Sequence, residues 1–453
     1  MGVFAPSREH FRILHLSSPW IDVYIHSFSS RNPIILQSFK SWSKMRFLIL
    51  FFTISSLLSC QSESPELKTG TWRGVIGIQG KELPFTFEVE KEGDSYRAYL
   101  KNVSEKILLD EISFRNDSVY MTLHVFDADL RARVEGDKLT GTFYKKYAPD
   151  FSMPFAATHG ANYRFVPNSE AANTPDYSGT YQLEFKPDTD PAYPSVGVIE
   201  QKGNHLNATF LTPMGDYRFI EGNVVDGRAW LSTFDGNHAF LFVASLNGDS
   251  LTGDYYSGKS AHEEFYGVKN ANAQMPDPES LTLLKEGYDR IAFSFPDLEG
   301  NPVTPGDERF RDKVLILQIF GTWCPNCMDE TKFLSQWYRD NHDRGVEILG
   351  LAYERKPEFD YAVARVVKMK EKLNVPYDFV IAGINDKEEA AKTLPMLNRV
   401  LAFPTTIFIG RDGKVKHIYT GFEGPGTGVY HERFKERFNQ VINELLVEKT
   451  TLP

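Results

Sequence analysis

At 453 residues the chain has room for two or three domains, and its formal net charge of -10 gives no electrostatic footprint for nucleic acid. Its three cysteines, Cys60, Cys324 and Cys327, are too few for a disulfide framework and leave no second pair to complete a zinc site. No histidine stands at ligand spacing near Cys324, so neither a metal nor a cofactor is expected.

The amino terminus carries a targeting pattern. Lys44, Met45 and Arg46 form a positive start, residues 47–58 are apolar, and Ser59 precedes Cys60. That is the layout of a secretory signal. The apolar run is too short for a bilayer span, which needs about 20 residues. Leu57, Leu58, Ser59 and Cys60 resemble a bacterial lipobox, in which the cysteine is acylated and becomes the first mature residue. The expected division is therefore a translation start at Met45, with residues 1–44 outside the mature protein. A signal peptide would follow over 45–59, and a tether over 60–69. The chain beyond would lie outside the cytoplasm, lipid-anchored to a bacterial membrane, with the periplasmic face expected. In such an oxidising compartment a dithiol stays reduced only if something supplies electrons.

From about Gly70 to Asn270 the pattern has period two, as in residues 85–90 and 119–125, with turn dipeptides such as Gly136-Asp137 and Gly248-Asp249 between the runs. Short alternating strands at this spacing predict an antiparallel sandwich or barrel. The region also reads as a tandem repeat. Gly70-Thr71-Trp72 is matched by Gly179-Thr180-Tyr181, and residues 136–143 by 248–255. One β unit is expected over 70–166 and a second over 177–270, separated by a polar stretch at 167–176. Tyr255, Tyr256 and Tyr266 suit either the β core or an exposed binding face.

A linker-like stretch, 271–284, leads into an alternation of strands and helices over 285–453. Strands are predicted at 314–320, 346–353, 377–382, 405–409 and 415–420. Helices are predicted at 328–339, 357–373, 387–399 and 432–446; the last aligns Phe434, Phe438, Val441, Ile442 and Leu445 on one face. The fold class is thus multidomain, an N-terminal antiparallel β region followed by an α/β domain.

Between the first strand and helix of that domain stand Trp323, Cys324, Pro325, Asn326 and Cys327. Two cysteines three positions apart can close and reopen a small disulfide ring, and at a strand-to-helix junction they form a redox element. If the helix begins at the motif, Cys324 is the N-cap, Pro325 is N1 and Cys327 is N3. The Cys324 sulfur then faces free N–H groups and the positive end of the helix dipole, both of which favour the attacking thiolate. Cys327, one turn inward, would resolve the mixed disulfide, and Trp323 would screen the site from water.

Phe320, Gly321, Thr322 and the motif that follows resemble the TlpA-like thiol–disulfide oxidoreductases, membrane-anchored extracytoplasmic relatives of thioredoxin. So do Phe403, Pro404, Thr405 and Thr406, together with residues 293–300 and 410–415. The resemblance covers roughly 285–450 and is silent about the β units. It implies a thioredoxin-like fold, disulfide-containing protein substrates and an upstream thiol protein as electron donor. It further implies that Pro404 is a cis-proline facing the cysteines, with the Phe403 backbone left to pair with substrate. Where thioredoxin carries a buried Asp, this chain has Gln318, which cannot titrate. The resemblance moves the proton acceptor to a Glu after the next strand, best fitted by Glu354. Two rival readings are a thiol peroxidase of the same fold and a β-domain binding protein with a subordinate redox domain. The residues preceding Cys324 do not match the peroxidase pattern.

Overall fold

The computed structural model describes residues 65–170, 174–186 and 191–448. The signal-like segment, the start at Met45 and Cys60 lie outside the described residues. Among the described residues, no helix is long and apolar enough to cross a membrane.

The period-two segments form two successive rings of antiparallel strands. In the first, nine strands run from Gly70 to His159, and the strand Gly70–Ile78 pairs both with its successor Lys81–Glu92 and with the last strand, Ser152–His159. This ring is open at one place, between Glu105–Leu109 and Ile112–Arg115. The second repeats the course from Gly179 to Lys269. Here Gly179–Phe185 pairs with Tyr193–Lys202 and with Ala261–Lys269, and the ring closes because Tyr193–Lys202 also pairs with His205–Thr212. The architecture is therefore barrel-like, the alternative that removes exposed sheet edges.

Matched sequence positions hold matched structural posts. Trp72 and Tyr181, in the first strand of each ring, are fully buried. Gly136 and Gly248 turn corresponding hairpins at φ 63° and 60°, a left-handed conformation that favours glycine. Tyr255 fills the second core, whereas Tyr266 is exposed. The rings are not independent beads: Phe234, Ala239, Leu241 and Val243 of the second belong to the core of the first. Arg164, buried at the seam, donates to the Pro84 and Lys101 carbonyls and to the carboxylate of Glu221.

The C-terminal part is a five-stranded mixed sheet. Its strands are β1 (Val314–Phe320), β2 (Val346–Glu354), β3 (Asp378–Ile384), β4 (Thr405–Ile409) and β5 (Val415–Thr420). Their spatial order is β3-β2-β1-β4-β5, with β1, β2 and β3 parallel and β4 and β5 antiparallel to their neighbours. Every residue of β1 is buried, as a central strand with both faces covered requires. The helices are α1 (Pro325–Asn341), α2 (Phe359–Leu373), α3 (Lys387–Thr393) and α4 (Val429–Val447).

Three expectations change. The helix predicted over 387–399 stops at Thr393, because Leu394 precedes Pro395 and is driven out of the helical region. The segment 271–284, expected as a linker, packs onto the redox sheet. Glu279 accepts from Arg437 and pairs with His417, and the buried Thr282 hydroxyl accepts from Thr420 at 2.9 Å. Its small apolar and hydroxyl residues suit that buried post, although their composition reads as loop. Residues 65–69 are likewise partly docked, since Leu67 lies in the first β core and the Lys68 carbonyl accepts from Trp72 Nε1.

Candidate active site

The cysteine motif stands where β1 ends and α1 begins. Cys324 has extended backbone angles and caps α1, its Sγ accepting the Cys327 N–H at 3.2 Å, and Pro325 occupies the first helical position. The sulfur thus lies against the unpaired N–H groups of a 17-residue helix. Both cysteines are free thiols; Cys327 is fully buried and Cys324 is 6% exposed. The Cys324 thiol donates to the Phe403 carbonyl at 3.3 Å, and the Phe403–Pro404 peptide bond is cis. The start of β4 therefore faces the start of α1. Burial pushes the Cys327 thiol well above its ordinary range, and the hydrogen bond and charge of Cys324 add to that.

Trp323 donates Nε1–H to the Tyr353 carbonyl at 2.8 Å and meets the Phe403 ring edge-on at 5.4 Å. The Arg355 guanidinium lies 5.1 Å from the Trp323 ring and 4.0 Å from the ring of Tyr147, a residue of the first β unit.

Two carboxyl groups are buried around the pair. Glu354, at the end of β2, accepts from the Thr322 backbone N–H and hydroxyl, both at 2.8 Å. Burial raises it to about 7 against those two hydrogen bonds. These contacts tie it to the residue two before Cys324. The second carboxyl, Glu330, escaped the sequence reading. It lies on α1 three residues after Cys327, hence on the same helix face, and that spacing is the signal that would have found it. Its Oε2 accepts from Gln318 Nε2 at 2.8 Å and its Oε1 from the Thr406 hydroxyl at 2.6 Å. Burial raises it to about 7, and its negative charge further disfavours the Cys327 thiolate. Gln318, which cannot titrate, thus holds a carboxyl that the helix supplies.

The β units complete the site. Asn326, between the two cysteines, donates Nδ2–H to the Asp216 carbonyl at 2.9 Å, and Asn237 donates to the Trp323 carbonyl at 2.8 Å. Arg218 is buried between three carboxylates. It donates to Asp329 of α1 at 2.9 Å, to Asp235 at 3.3 Å, and to Glu105 of the first β unit. One guanidinium thereby joins both β units to the cysteine-bearing helix. No sequence signal marked Asn237, Asp216 or Arg218. A cavity of about 230 Å³ opens beside Cys324, between Trp323 and Phe403 on one side and Met214, Tyr217 and Phe240 of the second β unit on the other. A larger cleft of about 540 Å³, between the second β unit and the start of α4, contains none of the candidate residues.

Comparison with known proteins agrees with this geometry. The Redoxin family profile matches residues 274–432. The thiol-disulfide oxidoreductase ResA of Bacillus thuringiensis subsp. konkukian is 34% identical over 130 residues, which cover 28% of this chain and 66% of that protein. The chain thus spans just under two thirds of that relative. ResA of Geobacillus thermodenitrificans is 31% identical over 140 residues, 31% of this chain and 72% of its own. The thiol:disulfide interchange protein DsbE of Pseudomonas aeruginosa is 26% identical over 168 residues, 37% of this chain and 83% of its own.

Proposed function

This chain belongs to the family of ResA-type thiol–disulfide oxidoreductases, and on that premise we propose that it reduces disulfides of extracytoplasmic proteins through Cys324 and Cys327. The observation that carries the reading is the Cys324 sulfur at the N-terminus of α1, receiving the Cys327 N–H. The free N–H groups at that end of the helix point at the sulfur that must attack.

In the reaction, the Cys324 thiolate attacks one sulfur of a substrate disulfide. A Cys324–substrate bond forms, the substrate S–S bond breaks, and the other substrate sulfur leaves as a thiolate that takes a proton. Cys327 then loses its proton and attacks Cys324 Sγ, which closes the Cys324–Cys327 disulfide and releases the second substrate thiol. The substrate gains two electrons and the enzyme dithiol loses them; an upstream thiol protein restores the dithiol. The Cys327 proton needs an acceptor that is half-ionised near neutral pH, and Glu330 and Glu354 both have that property. Glu330 is the stronger candidate for this step, because its charge acts on Cys327. Glu354 holds the Thr322 turn that aims Cys324. Pro404 and the Phe403 carbonyl line the substrate side, and Trp323 shields the sulfur. Acylation of Cys60 would anchor the chain to its membrane.

Cys327→Ala provides the test. The variant should retain its substrate as a mixed disulfide on Cys324, detectable by mass. A folded variant that captures no thiol partner, in cells where the protein is expressed, refutes the assignment.

A further inference from the structure

We infer that the second β unit is the substrate-selecting wall of the redox site. Building on the reading above, the structure assigns as substrate a disulfide carried on an extended peptide segment with a bulky apolar residue beside its cysteine.

The reacting atom lies at the bottom of a two-walled crevice. Cys324 is 6% exposed, and the cavity above it is bounded by Trp323 and Phe403 of the redox domain and by Met214, Tyr217 and Phe240 of the β unit. Whatever fills this space must bring a sulfur to its floor, so the occupant is the chain that bears the disulfide. A disulfide lying flat on a folded surface is kept away by the β wall, whereas an extended segment can enter.

The wall is rigid and joined to the motif itself. Phe240 stacks on His238 at 4.6 Å and packs edge-on against Tyr217 at 5.3 Å and Tyr255 at 5.4 Å. His238 pairs with Asp235, Asp235 with Arg218, and Arg218 with Asp329 on α1. The bonds from Asn326 to Asp216 and from Asn237 to Trp323 tie it to residues within and next to the cysteine pair. Moving the wall away would break several buried polar contacts together, each costly to leave unmade.

The chemistry of the wall selects the neighbour of the substrate cysteine. Met214, 41% exposed, stands at its rim, with Tyr217 and Phe240 behind it. Arg218 is already engaged by carboxylates and His238 by Asp235, so the β-unit face is mainly apolar and aromatic, while Lys387 lines the redox-domain side with its Nζ 3.2 Å from Met214 Sδ. A small uncharged side chain such as Ser buries little on that face, while a Phe or Leu leaves water for a preformed apolar surface.

The experiment uses the full mature chain and two peptides of about ten residues, each with one cysteine activated as a mixed disulfide with thionitrobenzoate. The peptides differ only in Phe or Ser beside that cysteine, and the readout is the ratio of their kcat/KM values. Apolar contacts in such pockets are worth on the order of tenfold or more, so the wild type should favour the Phe peptide about tenfold. Phe240→Ser and Met214→Ser should each cut the ratio to below roughly threefold, and Phe240→Leu should retain it. Met214→Ser, a change at an exposed rim, keeps the test open if Phe240→Ser fails to fold. A wild-type ratio near one, or a ratio unchanged in both serine variants, overturns the inference while leaving the oxidoreductase reading intact. A wild type inactive toward both peptides overturns both.

Discussion

Glu330→Gln removes one ionisable group from the interior without changing its size. Glu330 is 1% exposed and accepts two hydrogen bonds, from Gln318 and Thr406, with no cation paired to it among the described residues. Burial therefore raises its carboxyl from 4.5 to about 7. In the unfolded chain the group returns to its ordinary value. Between about pH 4.5 and 7 the folded protein holds a proton that the unfolded chain has released, so this group's contribution to stability falls as pH rises through that window. At 1.36 kcal/mol per unit, a rise from 4.5 to about 7 corresponds to about 3 kcal/mol, fully lost above pH 7. A glutamine at this position carries no such dependence. The Thr406 hydroxyl can turn to accept a hydrogen bond where it now donates, so the variant should fold. Urea unfolding of both proteins from pH 4 to pH 8 should show the variant gaining about 3 kcal/mol on the wild type across that range. Parallel curves would refute the reasoning, because Glu330 would then ionise with an ordinary pKa and could not store a proton from Cys327 near neutral pH.

Arg218→Met should remove the cation shared by Glu105, Asp235 and Asp329, leaving Asp235 only His238 and Asp329 only Lys332, a loss of about 3–5 kcal/mol visible as a lower urea midpoint. Arg218→Lys should recover only part of it, since one ammonium cannot span three carboxylates; full recovery would contradict the clamp. Gly222→Ala should lower the thermal midpoint, because a Cβ at Gly222 would sit 1.8 Å from the Trp230 carbonyl oxygen of the paired strand. The expected cost is about 1–3 kcal/mol, and an unchanged midpoint would rule out the Gly222–Leu231 register.

Two local signals made much of this protein readable in advance. Period-two alternation over Gly70 to Asn270 marked the strands, and repeated turn dipeptides marked the two units, because a strand's face and a hairpin's turn are decided within a few residues. The junction of an apolar run with Trp323 to Cys327 marked the redox element for the same reason: N-cap, proline and dipole act within one helical turn. Helix ends were read less well, as the stop at Thr393 shows, since one proline outweighs a run of good helix formers.

The sequence by itself determined the composition of the site: two thiols, a proline-started helix and a glutamine in place of an acid. Tertiary structure alone decided what surrounds them. Glu330 pairs with Gln318 across the helix–sheet interface, Arg218 reaches Asp329 over 111 residues, and Phe240 comes to stand above Cys324. These contacts obey no period along the chain. Closing a ring of strands and burying its outer face against a second domain brings distant side chains together, and only the folded geometry specifies which ones meet.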